Sequence, residues 1–271
     1  MTPPSSTIVR HPLAYRLLEV RRVVRITPGT VRVTLGGPEL AGFREQAPTD
    51  HVKLCFPGPG AELPTAPVIE NDMWVDAPVK PITRDYTVRH HRPEALELDV
   101  DMVVHGDGVG SAWADRAEPG MRLGVLGPRG SEVVPLVHDW YLLAADETAL
   151  PALGRWLEAL PAGVEVIAFA EVSGPQEEQR FAARAETSLT WLHRGDAAPG
   201  TTDLLERAVR AAVLPPGTGY AWVAGEANTL RPIRRHLRRE RGLAKEQVDV
   251  DGYWKRGETD HDHHAPDDEA A

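Results

Sequence analysis

The spacing of apolar residues changes near Pro135, and no single regular architecture accommodates both halves. Before that point the period is two. Val31, Val33 and Leu35 alternate with Arg32 and Thr34; Val52, Leu54 and Phe56 alternate with Lys53 and Cys55; Leu96, Leu98, Val100, Met102 and Val104 alternate with acids. Successive side chains of a strand point to opposite faces, so these stretches predict half-buried strands. Turn sequences such as "TPGT", "LGGPEL" and "LGPRGS" separate them, which implies a compact antiparallel barrel or sandwich. The Pro-rich, aperiodic segment from Pro57 to Pro81 reads as a long surface excursion.

After Pro135 short apolar runs precede helical patterns. "WYLLAA" from Trp140 is followed by a stripe of Ala149, Leu153, Trp156, Leu157 and Leu160, with Thr148 as a candidate N-cap and Pro151 in the first turn. "VEVIAFAEV" from Val164, "LTWLH" from Leu189 and "YAWVAG" from Tyr220 read as further buried strands, the last followed by a helix from about Thr229 to Arg241. Strands alternating with helices predict a parallel sheet covered on both faces, which binds ligands at the carboxyl ends of its strands. The expected division is a β-barrel domain over residues 1–137, an α/β domain over 138–257 and a disordered acidic, His-rich tail over 258–271.

A chain of 271 residues with 42% hydrophobic content has the material for two cores. Its net charge of −10 argues against nucleic acid as a partner. The N-terminal "MTPPSSTIVR" has no apolar leader and no stretch is long enough to span a bilayer, so the expectation is a cytoplasmic protein with no membrane contact. The lone Cys55 excludes an internal disulfide and a cysteine-based metal site. The tail's "HDHH" is a candidate for divalent metal, but no defined ligand set follows from it, and no metal ligand is assigned.

Two clusters carry candidate chemistry. In "RDYTVR", Arg84 and Arg89 flank Tyr86 and Thr87 on a strand; an arginine fork suits phosphate and a tyrosine face suits a planar ring, although a barrel strand with a surface arginine and a core tyrosine would read the same. Strict alternation would put Arg84 and Tyr86 on one face and Thr87 and Arg89 on the other, unless a bulge or strand curvature relaxes it. In "HGDGVGSAWADRA", Gly106, Gly108 and Gly110 precede a helix starting near Ser111, an arrangement that serves a tight turn or close approach to a pyrophosphate. Without a surrounding βαβ unit this is not a Rossmann fingerprint. Asp146 and Glu147 open a helix at a strand end, where they complement the helix dipole or face a ligand.

Taken together, "RDYTVR", "DMVVHGDGVGSAWA", "LGPRGS", "DETALPAL", "WVAGEANTLRPIRRHL" and "GYWKRG" occur in an order and spacing that resemble the siderophore-interacting proteins, ferric-siderophore reductases of the ferredoxin-reductase-like superfamily. The resemblance runs from about Arg16 to Gly257. It implies an antiparallel barrel that binds FAD and an α/β domain that receives NADPH or NADH. On the family's pattern, Arg84 meets the flavin phosphates, Tyr86 lies against the isoalloxazine and Thr87 bonds its polar edge. Asp101, Met102 and Val103 line the adenosine side, and His105, Gly110, Ser111 and Ala112 form the pyrophosphate turn. Asp146, Glu147 and Thr148, with Gly225, Glu226 and Ala227, face the nicotinamide, and Tyr253 and Trp254 approach the flavin from the other side. Lys53, Arg129 and Lys255 match a basic group that attracts an anionic ferric siderophore; screening over about 8 Å lets a local site oppose the acidic whole.

The reaction implied is NAD(P)H to FAD to Fe(III), with no protein nucleophile or general acid. The resemblance leaves as alternatives a flavin reductase serving a protein such as ferredoxin, or a non-catalytic siderophore-binding protein. A monomer is expected. Two features stand apart. Many family members carry glycine where this chain has Ala145, whose methyl would narrow the nicotinamide crevice. The arginine-rich "LRPIRRHLRRERG" suits a solvated face, a 2′-phosphate or an acidic partner.

Overall fold

The computed structural model describes residues 5–106 and 108–261. The alternating half folds as one antiparallel sheet. Its strands are β2 (Tyr15–Thr27), β3 (Thr30–Gly36), β4 (His51–Phe56), β7 (Ile82–Thr87), β8 (His90–Arg92), β9 (Glu97–Val103) and β10 (Arg122–Leu126). Their spatial order is β7-β4-β10-β2-β3-β9-β8, and β7 and β9 approach each other as the sheet curls. A separate pair joins β1 (Thr7–Arg10) to β11 (Gly130–Val133), and the Pro-rich excursion carries a small hairpin of β5 (Val68–Glu70) and β6 (Met73–Val75).

One face of the alternation fills the barrel. Val31, Val33, Leu35, Val52, Leu54, Phe56, Leu98, Val100 and Met102 are buried together, and Trp113 of helix α1 (Val109–Asp115) closes the core edge-to-face against Phe56. The other face departs from the half-buried expectation. Asp99 and Asp101 of β9 are also buried, because Arg92 holds Asp99 at 2.7 Å through both oxygens and Arg32 holds Asp101 at 2.6 and 2.7 Å. Buried carboxylates persist only when paired in this way.

The second half is a parallel sheet of order β14-β13-β12-β15-β16, with β12 (Trp140–Ala145), β13 (Glu165–Val172), β14 (Glu186–His193), β15 (Gly219–Glu226) and β16 (Val248–Trp254). Helix α2 (Leu150–Ala159) covers one face through Leu153, Trp156 and Leu157. Helices α3 (Leu204–Ala211) and α4 (Ala227–Arg235) cover the other through Leu205, Val209, Leu230 and Ile233. The chain leaves β12 toward β14 on one side and returns through β15 to β16 on the other. The order therefore reverses between β12 and β15, the place where such sheets bind ligands.

Four details differ from expectation. Strand β16 closes the sheet and carries the terminal aromatics Tyr253 and Trp254 at its end. The β13–β14 connection has only a 3-10 turn at Pro175–Glu177 instead of a helix, and Glu177 accepts from Thr27 Oγ1 at 2.5 Å and Gly29 N at 2.9 Å, docking that loop on the barrel. Thr148 is not the N-cap of α2: Ala149 holds that position, and the Thr148 hydroxyl donates to Asp146. Helix α4 ends at Arg235 and continues as a π turn over His236–Glu240, where Arg241 donates to His236 Nε2 at 3.1 Å.

Arg89 reaches Glu158 of α2 at 2.7 Å, and Arg155 donates to the Val88 carbonyl at 3.0 Å, so arginines contribute to joining the two sheets. Among the described residues no helix is long and apolar enough to cross a membrane.

Candidate flavin and electron-donor cleft

A cavity of about 660 Å³ lies between the barrel edge and the carboxyl ends of the parallel strands. The barrel supplies Arg84, Asp85, Tyr86 and Thr87 from β7, Asp101 and Val103 from β9, and His105, Gly108, Gly110 and Ser111 from the glycine-rich turn. Four consecutive β7 residues line it, so edge-strand curvature does relax the alternation. The α/β half supplies Glu147, Thr148, Asp251, Tyr253 and Trp254, and the chain beyond β16 supplies Lys255 through His261.

The local sequence explains the shape of the barrel wall. Ser111 Oγ accepts from the backbone N–H of His105 at 2.9 Å, which pins the start of α1 to the end of β9. A side chain at Gly110 would collide with the Tyr86 hydroxyl, so that glycine permits the close approach of turn and ring. Burial pushes the Tyr86 phenol well above its ordinary range and keeps it neutral. The volume falls in the range of ligand cavities, and a cation, a neutral ring and a glycine cradle line one wall. A cation for phosphates beside a neutral ring for a planar heterocycle is a donor set that would fit FAD.

At the strand ends of the α/β half the carboxylates already have partners. Arg194 grips Glu147 with bonds of 2.8 and 2.6 Å; burial and adjacent Asp146 nonetheless push Glu147 up to about 7. Asp146 accepts from Thr148 N at 2.9 Å, Thr148 Oγ1 at 2.6 Å and Trp254 Nε1 at 2.8 Å. Glu226 caps α4 by accepting from Thr229 N at 2.9 Å, and takes the Arg256 N–H at 3.0 Å. Asp146 and Glu226 line a second cavity of about 70 Å³ at the strand ends, together with Glu171.

The structure therefore separates the residues singled out above. Arg84, Tyr86, Thr87, Asp101, Val103, His105, Gly110, Ser111, Glu147, Thr148, Tyr253, Trp254 and Lys255 share the large cleft. Met102, Ala112, Asp146, Gly225, Glu226 and Ala227 do not line it; the Met102 side chain is fully buried in the barrel core. The Ala145 methyl belongs to the sheet core with Leu143 and Leu153, not to a crevice.

Of the three basic residues, Lys255 lines the cleft and is ion-paired with Glu258. Lys53 stands behind the cleft wall, 2.6 Å from Asp85, its register partner on β7. Arg129 lies outside the cleft, its guanidinium 2.8 Å from Met73 Sδ on the excursion hairpin. The arginine-rich segment is partly spent on carbonyls: Arg234 donates to Val250 O and Arg238 to Leu243 O.

Sequence reasoning overlooked Asp85, Asp251 and the chain after Gly257. Asp85 and Asp251 were readable from strand period two. The tail was expected to be disordered, yet Glu258 to His261 lie along the cleft, with Asp260 3.5 Å from Arg84 and His261 3.2 Å from Glu258. Residues 262–271, including His263 and His264, lie outside the described residues. Among the described residues no group of three or more His, Cys, Asp or Glu could hold a metal ion.

An antiparallel barrel and a parallel α/β unit sharing such a cleft make up the ferredoxin-reductase-like fold. The chain belongs to the siderophore-interacting protein family. Residues 19–132 match the siderophore-interacting FAD-binding domain, and residues 138–257 match the siderophore-interacting protein domain. It is 34% identical to the ferric vibriobactin reductase ViuB of Vibrio cholerae over 92% of each chain. It is 33% identical to an NADPH-dependent ferric-chelate reductase of Escherichia coli over 93% of this chain and 98% of that one. A crystal structure of a siderophore utilization protein from T. fusca superposes with a TM-score of 0.90 at 50% identity, covering 96% of this chain and all of that one.

Proposed function

We propose that this protein is an FAD-dependent ferric-siderophore reductase that uses NADPH and releases Fe(II) for iron assimilation. The observation that carries the reading is the cleft itself, with an Arg84–Tyr86–Thr87 edge and a glycine cradle on one wall and the parallel-strand ends on the other. Bound FAD supplies the conversion between a two-electron donor and a one-electron acceptor.

The chain's own residues bind and orient. Arg84 neutralises phosphate charge, Tyr86 and Thr87 fix the ring plane and edge, and Tyr253, hydrogen-bonded to Thr87, ties β16 to the flavin strand. Lys255 in the cleft, supported at longer range by Lys53 behind its wall and Arg129 outside it, attracts the anionic chelate against a net charge of −10. No side chain in the cleft needs to act as nucleophile. Ferrous iron fits hard oxygen ligands less well than ferric, so reduction releases it.

In this reading the protein is a cytoplasmic monomer. NADPH is the donor in place of NADH or a ferredoxin, and ferric siderophore is the acceptor. Purified protein loaded with FAD should bleach on NADPH addition under anaerobic conditions. It should then convert ferric siderophore to Fe(II) trapped by a ferrous chelator. Failure to bind FAD, or absence of trapped Fe(II), would overturn the reading. Replacing NADPH by NADH or reduced ferredoxin in the same assay assigns the donor.

A further inference from the structure

Ferric chelates differ in net charge as much as in shape. Fe(III) held by three monoanionic donors, as in a tris-hydroxamate, is neutral, whereas three dianionic donors, as in a tris-catecholate, leave a trianion. Which of these a site accepts depends on the charge that faces the ligand, because complementary charge favours a partner and like charge rejects it.

Around the cleft the charges are matched one against one. Lys53 Nζ stands 2.6 Å from Asp85 Oδ2, its register partner on β7. Lys255 is paired with Glu258, and Arg84 lies 3.5 Å from Asp260. Two more lining carboxylates are held by arginines from behind, Asp101 by Arg32 and Glu147 by Arg194. Arg256 and Asp251 complete the lining with one charge of each sign, and Asp251 is near enough to Asp85 for the two carboxylates to oppose each other's ionisation.

A pair of opposite charges presents a dipole, whose field falls off faster with distance than that of a lone cation. Screening over about 8 Å makes this local balance, more than the whole chain, what a bound ligand feels. The chain's net charge of −10 adds no attraction from further away, and Arg129 lies outside the cleft against Met73. Asp85 and Glu258 keep 22% and 47% of their side-chain surface exposed, so both act on whatever enters from solvent. Pairs this exposed are weak enough for one ligand anion to replace one carboxylate. A trianion would leave its other charges facing Asp85, Asp251 and Asp260.

We propose that Asp85 and Glu258 are specificity-determining residues: they neutralise Lys53 and Lys255, so the cleft selects ferric chelates with no more than one negative charge, of the tris-hydroxamate type, over trianions such as tris-catecholates. The inference rests on the reductase reading above and names the substrate class of that same site.

The test uses Ga(III) chelates, which keep the charge and shape of the ferric complexes but accept no electron. One is a neutral tris-hydroxamate, and the other is the same scaffold with three peripheral carboxylates. Calorimetry on the FAD-loaded protein gives the two dissociation constants. In the wild type the neutral chelate should bind about ten-fold more tightly at low salt, and the gap should close at high ionic strength. Asp85→Asn and Glu258→Gln each release a cation, so each should narrow the ratio of the two constants by about three- to five-fold. Lys53→Gln, which leaves Asp85 unanswered, should widen it.

Equal or tighter binding of the carboxylated chelate by the wild type would overturn the charge preference. So would a ratio that neither D85N nor E258Q moves, or binding of neither chelate. If D85N does not retain FAD, E258Q carries the measurement. A holoprotein that binds the neutral gallium chelate but reduces no ferric siderophore would sink the reductase reading instead, with the charge preference already decided by binding.

Discussion

The two walls of the cleft are built on opposite principles. On the barrel wall the polar groups face the cavity, and among the described residues Arg84 there is engaged by Asp260 and by the Thr83 carbonyl at 2.5 Å. On the α/β side Glu147, which lines the cleft, is gripped by Arg194, and outside the cleft the strand-end carboxylates Asp146 and Glu226 are held by Thr148 and Trp254 and by Thr229, Asn228 and Arg256. In the proposed function the first wall receives the anionic cofactor as it stands, while the carboxylates on the second side are already committed to the protein's own donors. A resident cofactor and a passing donor need these two properties respectively, so cofactor affinity and donor affinity should respond to different substitutions.

The sharpest way to break the comparison is Gly110→Ala. The added methyl would collide with the Tyr86 hydroxyl, and overpacking costs of ~2 kcal/mol in a rigid cradle correspond to about thirty-fold weaker FAD binding. A flavin-quenching titration measures this, and affinity within three-fold of wild type would mean that the barrel wall is less preformed than its geometry indicates. The α/β wall should be indifferent: NADP+ binding to protein saturated with FAD should stay close to wild type.

Next in size are the cations proposed to attract the chelate. Lys255 is in the cleft, Lys53 is behind it and Arg129 is outside it, so the effects should fall in that order. Lys255→Gln should raise KM for an anionic ferric chelate about ten-fold at low salt, and the difference should shrink at high ionic strength as charges are screened. An Arg129→Gln effect equal to that of K255Q would show that the substrate contacts the excursion hairpin beside Met73.

These contrasts mark what was legible in the sequence. The core face of each barrel strand could be read because period two is local: Val52, Leu54 and Phe56 declare their side within five residues. The strand ends at Asp146 and Gly225 were readable for the same reason, since a short apolar run must stop where the sheet stops. Partners distant in sequence were not. Nothing in "HVKLCF" says that Lys53 pairs in register with Asp85. Nothing in "ADETALP" says that Asp146 reaches Trp254, which is 108 positions away. Asp99 and Asp101 look like a solvent face until Arg92 and Arg32 arrive from other strands. Local pattern reports which way a side chain points, while tertiary pairing decides what it finds there.

A smaller effect separates the walls by pH. On β16, burial pushes both Asp249 and Asp251 up to about 7, with Glu132 adding to the rise at both; Asp251 adds at Asp249, Asp85 adds at Asp251, and Arg234 opposes each. An acid whose folded value lies above its unfolded one binds its proton more tightly when folded. Stability from this pair therefore declines as pH rises from about 4 to 7 and levels off above that. On the barrel side, the bonds from Arg92, His90 and Thr34 overcome burial and hold Asp99 well below the carboxylate range, so its contribution is lost only in strong acid. Thermal melts should show a higher Tm at pH 5.5 than at pH 8, and Asp249→Asn should remove much of that difference, raising Tm at pH 8 by about 3 °C. A pH-independent Tm across that window would reject the shifts on β16.

The smallest effect concerns the one arginine on the receptor wall. Arg84 lies 3.5 Å from Asp260, a longer separation than a hydrogen-bonded pair, and the Asp260 side chain is about half exposed (52%). Exposed pairs of this kind contribute ~0–1 kcal/mol. FAD phosphates must replace that carboxylate, so Asp260→Asn should tighten FAD binding, but by no more than about two- to three-fold, and the gain should vanish at high salt. The same substitution should leave NADP+ affinity of the FAD-saturated protein unchanged, because Arg84 is then committed to phosphate and the parallel-strand ends lie on the other side of the cleft. A ten-fold gain in FAD affinity, or an effect on NADP+, would mean that the segment around Asp260 bridges both walls and that the two do not act independently.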